Sequence, residues 1–134
     1  MFICRGCGAE CEGRRARVYC SIACQRAYDR RAKIEHWLAT GNAFPGSNQG
    51  HYVRSHILLE QNGLCAVCGS PELWNGQPLA FVLDHIDGDA DNNARENLRL
   101  VCPNCDSQLP TYKSRNRGRG RHLRRARYAR GQSY

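Results

Sequence analysis

Eight of the nine cysteines fall into four close pairs: Cys4-x2-Cys7, Cys20-x3-Cys24, Cys65-x2-Cys68 and Cys102-x2-Cys105. A thiolate is a soft, charged ligand, and two pairs that meet close a tetrahedral zinc site with no open position for a reactive water. Such zinc is structural. The second two pairs enclose 33 residues, enough for a hairpin that returns to its start, so Cys65, Cys68, Cys102 and Cys105 are expected to hold one Zn²⁺. At the N-terminus, Cys4, Cys7, Cys20 and Cys24 have the form of a second structural site, with Gly6 and Gly8 for the tight turn. Cys11 competes with Cys7 for a place in that set. The preference for Cys7 rests on knuckle geometry, in which two intervening residues let backbone amides point at sulfur.

Between the zinc pairs lies a different kind of chemistry. Asp84-His85 ends an apolar run, and a strand there sends neighbouring side chains in different directions. One can hold a metal while the other faces water. Phosphodiester hydrolysis needs a water-derived nucleophile, a cation on the phosphate and stabilisation of the leaving oxygen. A neutral imidazole accepts the water proton at physiological pH. Of the remaining acids, Asp87, Asp89 and Asp91 read as a solvated turn, because a calcium loop would need a glutamate at its twelfth position.

The stretch Leu83-Asp84-His85-Ile86-Asp87-Gly88-Asp89, followed by Asn97-Leu98-Arg99-Leu100-Val101-Cys102-Pro103-Asn104-Cys105, resembles the HNH endonuclease family over residues 51–117. The resemblance implies His85 as general base, Asp84 as a ligand of the catalytic cation, and Asn97 as the amide that holds the histidine's loop. The third signature position, usually histidine, is Asp106 here. A carboxylate is harder than imidazole, so Asp84 and Asp106 are expected to form a two-carboxylate clamp for Mg²⁺ or Mn²⁺. Around Tyr19-Cys20-Ser21-Ile22-Ala23-Cys24 the N-terminus is similar to treble-clef-like knuckles, whose second cysteine pair opens a helix.

These groups need elements to position them. Residues 25–39 lack Gly and Pro and predict a helix with Ala27, Ile34, Trp37 and Leu38 as its apolar stripe. Residues 41–50 break the periodicity and read as a linker. A second helix is expected over 51–62, ended by Gly63. Residues 79–83 and 98–101 predict two strands, joined by a loop rich in Asp and Asn, and a helix of about ten residues is expected after Cys102. Residues 118–134 form a Gly/Arg-rich arm. The expected fold class is α+β: an N-terminal zinc knuckle and helix (1–40), then a zinc-stapled ββα-metal core (51–117).

Charge divides the chain in three. Residues 1–33 carry +5, residues 34–112 carry −6, and residues 113–134 hold nine basic residues and no acid. Basic flanks around an acidic centre suit a protein that grips DNA and holds divalent cations between. Arg14, Arg15, Arg17, Arg30, Arg31, Lys113, Arg115, Arg117, Arg119 and Arg121 are the candidate DNA contacts, directed at the backbone rather than at bases. No apolar run approaches the length of a membrane span, and unbridged thiols suit a cytoplasmic setting, that of a bacterium or phage-infected cell. The rival to a DNA endonuclease is a non-catalytic zinc protein that binds nucleic acid, and Asp106 is the residue that favours it.

Overall fold

The computed structural model describes residues 1–43 and 50–112. Two compact units are formed by residues 1–36 and 37–134. Most of the expected linker (44–49), all five tail contacts from Lys113 to Arg121, and the arm at 118–134 lie outside the described residues. Among the described residues the architecture is α+β, with three small two-stranded sheets, three α-helices and one 3-10 turn.

In the first unit, β1 (Phe2–Ile3) pairs antiparallel with β2 (Glu10–Cys11), Phe2 opposite Cys11. Between them the chain turns back through Gly8, at φ 74°, with Gly8 N donating to Cys4 O at 2.8 Å. Gly6 is required for another reason: a Cβ there would stand 2.7 Å from the Cys24 carbonyl oxygen. The backbone of the first pair thus lies directly against the second. Ser21 caps α1 (Ile22–Thr40), its hydroxyl accepting from Cys24 N at 3.1 Å, which satisfies one of the amides a helix start leaves open. Of the expected apolar stripe on this helix, Trp37 is fully buried and Ile34 half-buried, whereas Ala27 and Leu38 are exposed.

The second unit takes in the end of α1 and builds on α2 (Tyr52–Glu60), whose N-cap is His51, its Nδ1 accepting from Val53 N. The helix stops where Asn62 and Gly63 both adopt positive φ, and Gly63 N returns to Leu58 O at 2.9 Å. After the Cys65–Cys68 turn comes a hairpin, β3 (Leu73–Trp74) with β4 (Gln77–Pro78). Asn75-Gly76, both at positive φ, form the tight turn whose twist matches paired strands.

The central pair is β5 (Val82–His85) against β6 (Leu98–Val101), with Asp84 opposite Arg99 and His85 opposite Leu98. The first of these strands starts and ends later than expected. Gln61 fastens the outer side of β6: its Oε1 accepts from Leu100 N and its Nε2 donates to Leu100 O, both at 2.9 Å. That covers an edge that would otherwise be left unpaired. Val53, Ile57, Phe81, Leu98, Leu100 and Val101 form the core with Trp37. The last element, α3 (Pro103–Ser107), packs against β5 and starts on Pro103 with Cys102 as its cap. It is half the expected length. Pro110 disfavours helical backbone at Leu109, and the chain leaves in turns instead.

Candidate active site

Each cysteine quartet comes together. The sulfurs of Cys4, Cys7, Cys20 and Cys24 lie within 4.8 Å of one another, as do those of Cys65, Cys68, Cys102 and Cys105. Cys11 belongs to neither; its sulfur faces Ala9 O at 3.5 Å. Local backbone prepares one anion in each set. Amides of Cys20, Cys7 and Gly6 hold the Cys4 thiol down to about 6. At Cys65 burial raises the pKa, yet the amides of Cys68, Cys102 and Val67 outweigh it and bring the thiol to about 6. Their neighbours move the other way: Cys20, crowded first by Cys24, and Cys105, crowded first by Cys102, are each pushed up to about 12. Four thiolates at one point need a dication, and a four-sulfur donor set fits Zn²⁺. Among the described residues, these quartets are the sole sets of three or more Cys, His, Asp or Glu donors converging so closely.

The hydrolytic candidates sit on the strand pair that the second quartet closes. His85 is half-buried, and its Nε2 lies 2.8 Å from Asn93 Oδ1. Asn93 is 4% exposed and held at both ends: its Nδ2 donates to Ala43 O at 2.8 Å, and its carbonyl accepts from the Trp37 indole at 2.7 Å. With the amide nitrogen committed to Ala43, the oxygen must face the ring, so Nε2 carries the proton and Nδ1 keeps its lone pair. Nδ1 makes no hydrogen bond among the described residues.

Asn97 holds the loop between the strands. Its Oδ1 accepts from Asp87 N, and its Nδ2 donates to Asp87 Oδ1 and Asn92 O. Asp87, Asp89 and Asp91 are drawn into the same loop as turn-forming side chains, Asp87 Oδ1 capping Asp89 N and Asp89 Oδ1 capping Asp91 N. One residue earlier on β5, Asp84 is 7% exposed and its Oδ2 accepts from Arg99 Nε at 2.8 Å. A carboxylate so buried requires a positive charge beside it. Asp106 lies on α3, the helix packed against that strand.

The chain is 36% identical over 102 residues to the H-N-H endonuclease F-TflIV of Escherichia phage T5, a match covering 73% of this chain and 42% of the phage protein. The chain is a relative of the H-N-H endonucleases. It spans less than half the length of that relative. No family model and no solved structure matches it.

The residues expected from the sequence to occupy the H-N-H signature positions are His85, Asn97 and Asp106. The residue that sequence reasoning missed is Asn93, which touches His85 directly while Asn97 reaches it only through the loop. Two adjacent asparagines, Asn92 and Asn93, stand in that loop, and nothing in their order distinguishes the buried one. The basic candidates of the knuckle divide as well. Arg17 donates to Tyr19 O and Cys20 O, and Arg31 to Gly6 O, so both stiffen the zinc turn; Arg14 and Arg15 are exposed. No helix among the described residues is long and apolar enough to cross a membrane.

Proposed function

We propose that this chain is a metal-dependent DNA endonuclease that hydrolyses phosphodiester bonds with His85 as general base. The observation that carries the reading is the 2.8 Å contact between His85 Nε2 and the amide oxygen of buried Asn93, which holds one ring nitrogen and leaves Nδ1 to face water. The name of the phage relative supports the same class of reaction. In this mechanism His85 Nδ1 removes a proton from water as the oxygen bonds to phosphorus, and the bond from phosphorus to the 3′-oxygen breaks. Asn93 keeps the ring in place through the step. Asp84 and Asp106, both hard oxygen donors, would hold Mg²⁺ or Mn²⁺; a bound cation supplies charge stabilisation at the phosphate and leaving oxygen. The two zinc sites take no part in the chemistry and stiffen the turns.

Two observations favour a second reading, a non-catalytic binder: Asp84 is already paired with Arg99, and Asp106 stands where the family usually has histidine. A plasmid-cleavage assay with Mg²⁺, Mn²⁺ and EDTA separates the two. Nuclease chemistry predicts metal-dependent cleavage, a fall of roughly 10²–10⁴-fold in His85→Ala, and retained or higher activity in Asp106→His. If wild type and Asp106→His bind DNA and neither cuts it, the chain is a binder.

A further inference from the structure

Residues 34–112 contain three basic side chains, Arg54, Arg95 and Arg99, and the structure gives them different occupations. Arg54 is buried, its guanidinium donating to Phe81 O. Arg95 is tied to Glu60 by Nε and to Leu98 O by Nη1, at 2.9 and 2.8 Å. Arg99 is held by one nitrogen alone, Nε on Asp84 Oδ2. Its two terminal nitrogens make no hydrogen bond among the described residues, and its side chain remains 30% exposed. The cross-strand register that sets Arg99 opposite Asp84 therefore fixes a guanidinium beside this carboxylate with its two terminal nitrogens left without a hydrogen bond among the described residues.

Resting on the nuclease reading, we infer that Arg99 is a further catalytic residue, which binds the scissile phosphate through Nη1 and Nη2 while Nε holds Asp84. The geometry of guanidinium suits this division, because its donors form a rigid fork that can serve a carboxylate and a phosphate at once. Charge gives the reason it is needed here. Aspartate at position 106 adds a negative charge where a neutral histidine is usual, and a site with two carboxylates repels an incoming phosphodiester. Arg99 offsets that charge from the same face of the strand pair as Asp84, and does so without occupying both oxygens of Asp84.

The test measures metal affinity and cleavage separately on the full chain. In Arg99→Gln a cation beside Asp84 is lost, so Mn²⁺, titrated in the absence of DNA, should bind about tenfold more tightly, while cleavage of supercoiled plasmid at saturating Mn²⁺ falls roughly 10²–10³-fold. Arg99→Lys retains a charge for Asp84 and guards against misfolding of the Gln variant; its Mn²⁺ affinity should stay within about threefold. One ammonium cannot span both partners, so its cleavage should still fall at least tenfold. Mn²⁺ affinity and cleavage lost together in Arg99→Gln, with Arg99→Lys restoring both, would reduce Arg99 to a brace for Asp84 and overturn the inference. Full-rate cleavage by both variants would also overturn it, leaving the nuclease reading intact. A wild type that never cuts overturns that reading and this inference with it.

Discussion

At the scale of single residues, the arrangement around His85 depends on a side chain that never touches water. Asn93 is buried, and its side-chain oxygen, side-chain nitrogen and backbone carbonyl each have a partner: His85, Ala43 and the Trp37 indole. Replacing it with alanine frees the ring to rotate and removes the bond that fixes its tautomer. Asn93→Ala should therefore lower cleavage by about 10–100-fold, the usual worth of a group that orients a catalytic ligand, with Mn²⁺ affinity unchanged because Asp84 and Asp106 lie elsewhere. A matching loss of Mn²⁺ binding would show instead that the whole strand pair had shifted. The chemical types in this site were legible in the sequence: carboxylate and imidazole adjacent, cysteines in pairs. What the sequence could not show is which polar groups face one another. Asp84 opposite Arg99 is a matter of strand register, and the choice of Asn93 over Asn92 is a matter of which one the loop turns inward.

At the scale of elements, a zinc ion in each quartet would compensate for short pieces. Strands of four residues and a helix of five offer few ladder bonds, and below about 12–15 residues a helix is marginal alone. The Cys102 cap and Pro103 start α3, while Cys65 Sγ accepts from Cys102 N at 3.2 Å, so metal and backbone lock the same corner. Sequence spacing foretold both quartets because ligand geometry leaves few options. It did not foretell the Asn75-Gly76 hairpin or the early end of α3, since those follow from local turn chemistry at Gly76 and Pro110 that the apolar pattern does not carry. Purified protein should hold about two equivalents of zinc. Cys102→Ser should hold about one, and both tryptophans, Trp37 and Trp74, lie in the second unit, so their fluorescence should lose its cooperative melt. Site zinc contributes roughly 10–16 kcal/mol of apparent folding energy, more than this core can replace. A wild-type melt in that variant would mean that thiol packing, not metal, holds the corner. Zinc affinity, measured by chelator competition, should also rise with pH across the neutral range. The thiols held near 12 must release protons to bind, and a flat profile would contradict this.

At the scale of the whole chain, charge is separated from chemistry. The residues proposed for hydrolysis lie in the segment with net −6, and the net positive charge lies before residue 34 and after residue 112. An acidic centre repels a polyanion over about a Debye length, roughly 8 Å at physiological salt, so on the nuclease reading affinity for DNA is expected from the flanks. Within the N-terminal flank, Arg17 and Arg31 are partly engaged with the knuckle's own carbonyls, which throws more of the task on the C-terminal run. That run holds Arg119, Arg121, Arg124, Arg125, Arg127 and Arg130 with no opposing acid. Each phosphate neutralised releases counterions and steepens the dependence of log K on log salt by about 0.9. Deleting 118–134 should therefore weaken binding to a duplex and flatten that slope, by at most about 5 if all six arginines reach phosphates. The cysteine quartets and the core residues named above all precede the deleted segment, so zinc content and tryptophan melting are expected to stay unchanged. Cleavage at low salt should survive with a raised KM and an unchanged kcat, because the lost contacts bind substrate and transition state alike. A salt slope identical to that of the intact chain would assign DNA binding to the arginines of the first unit.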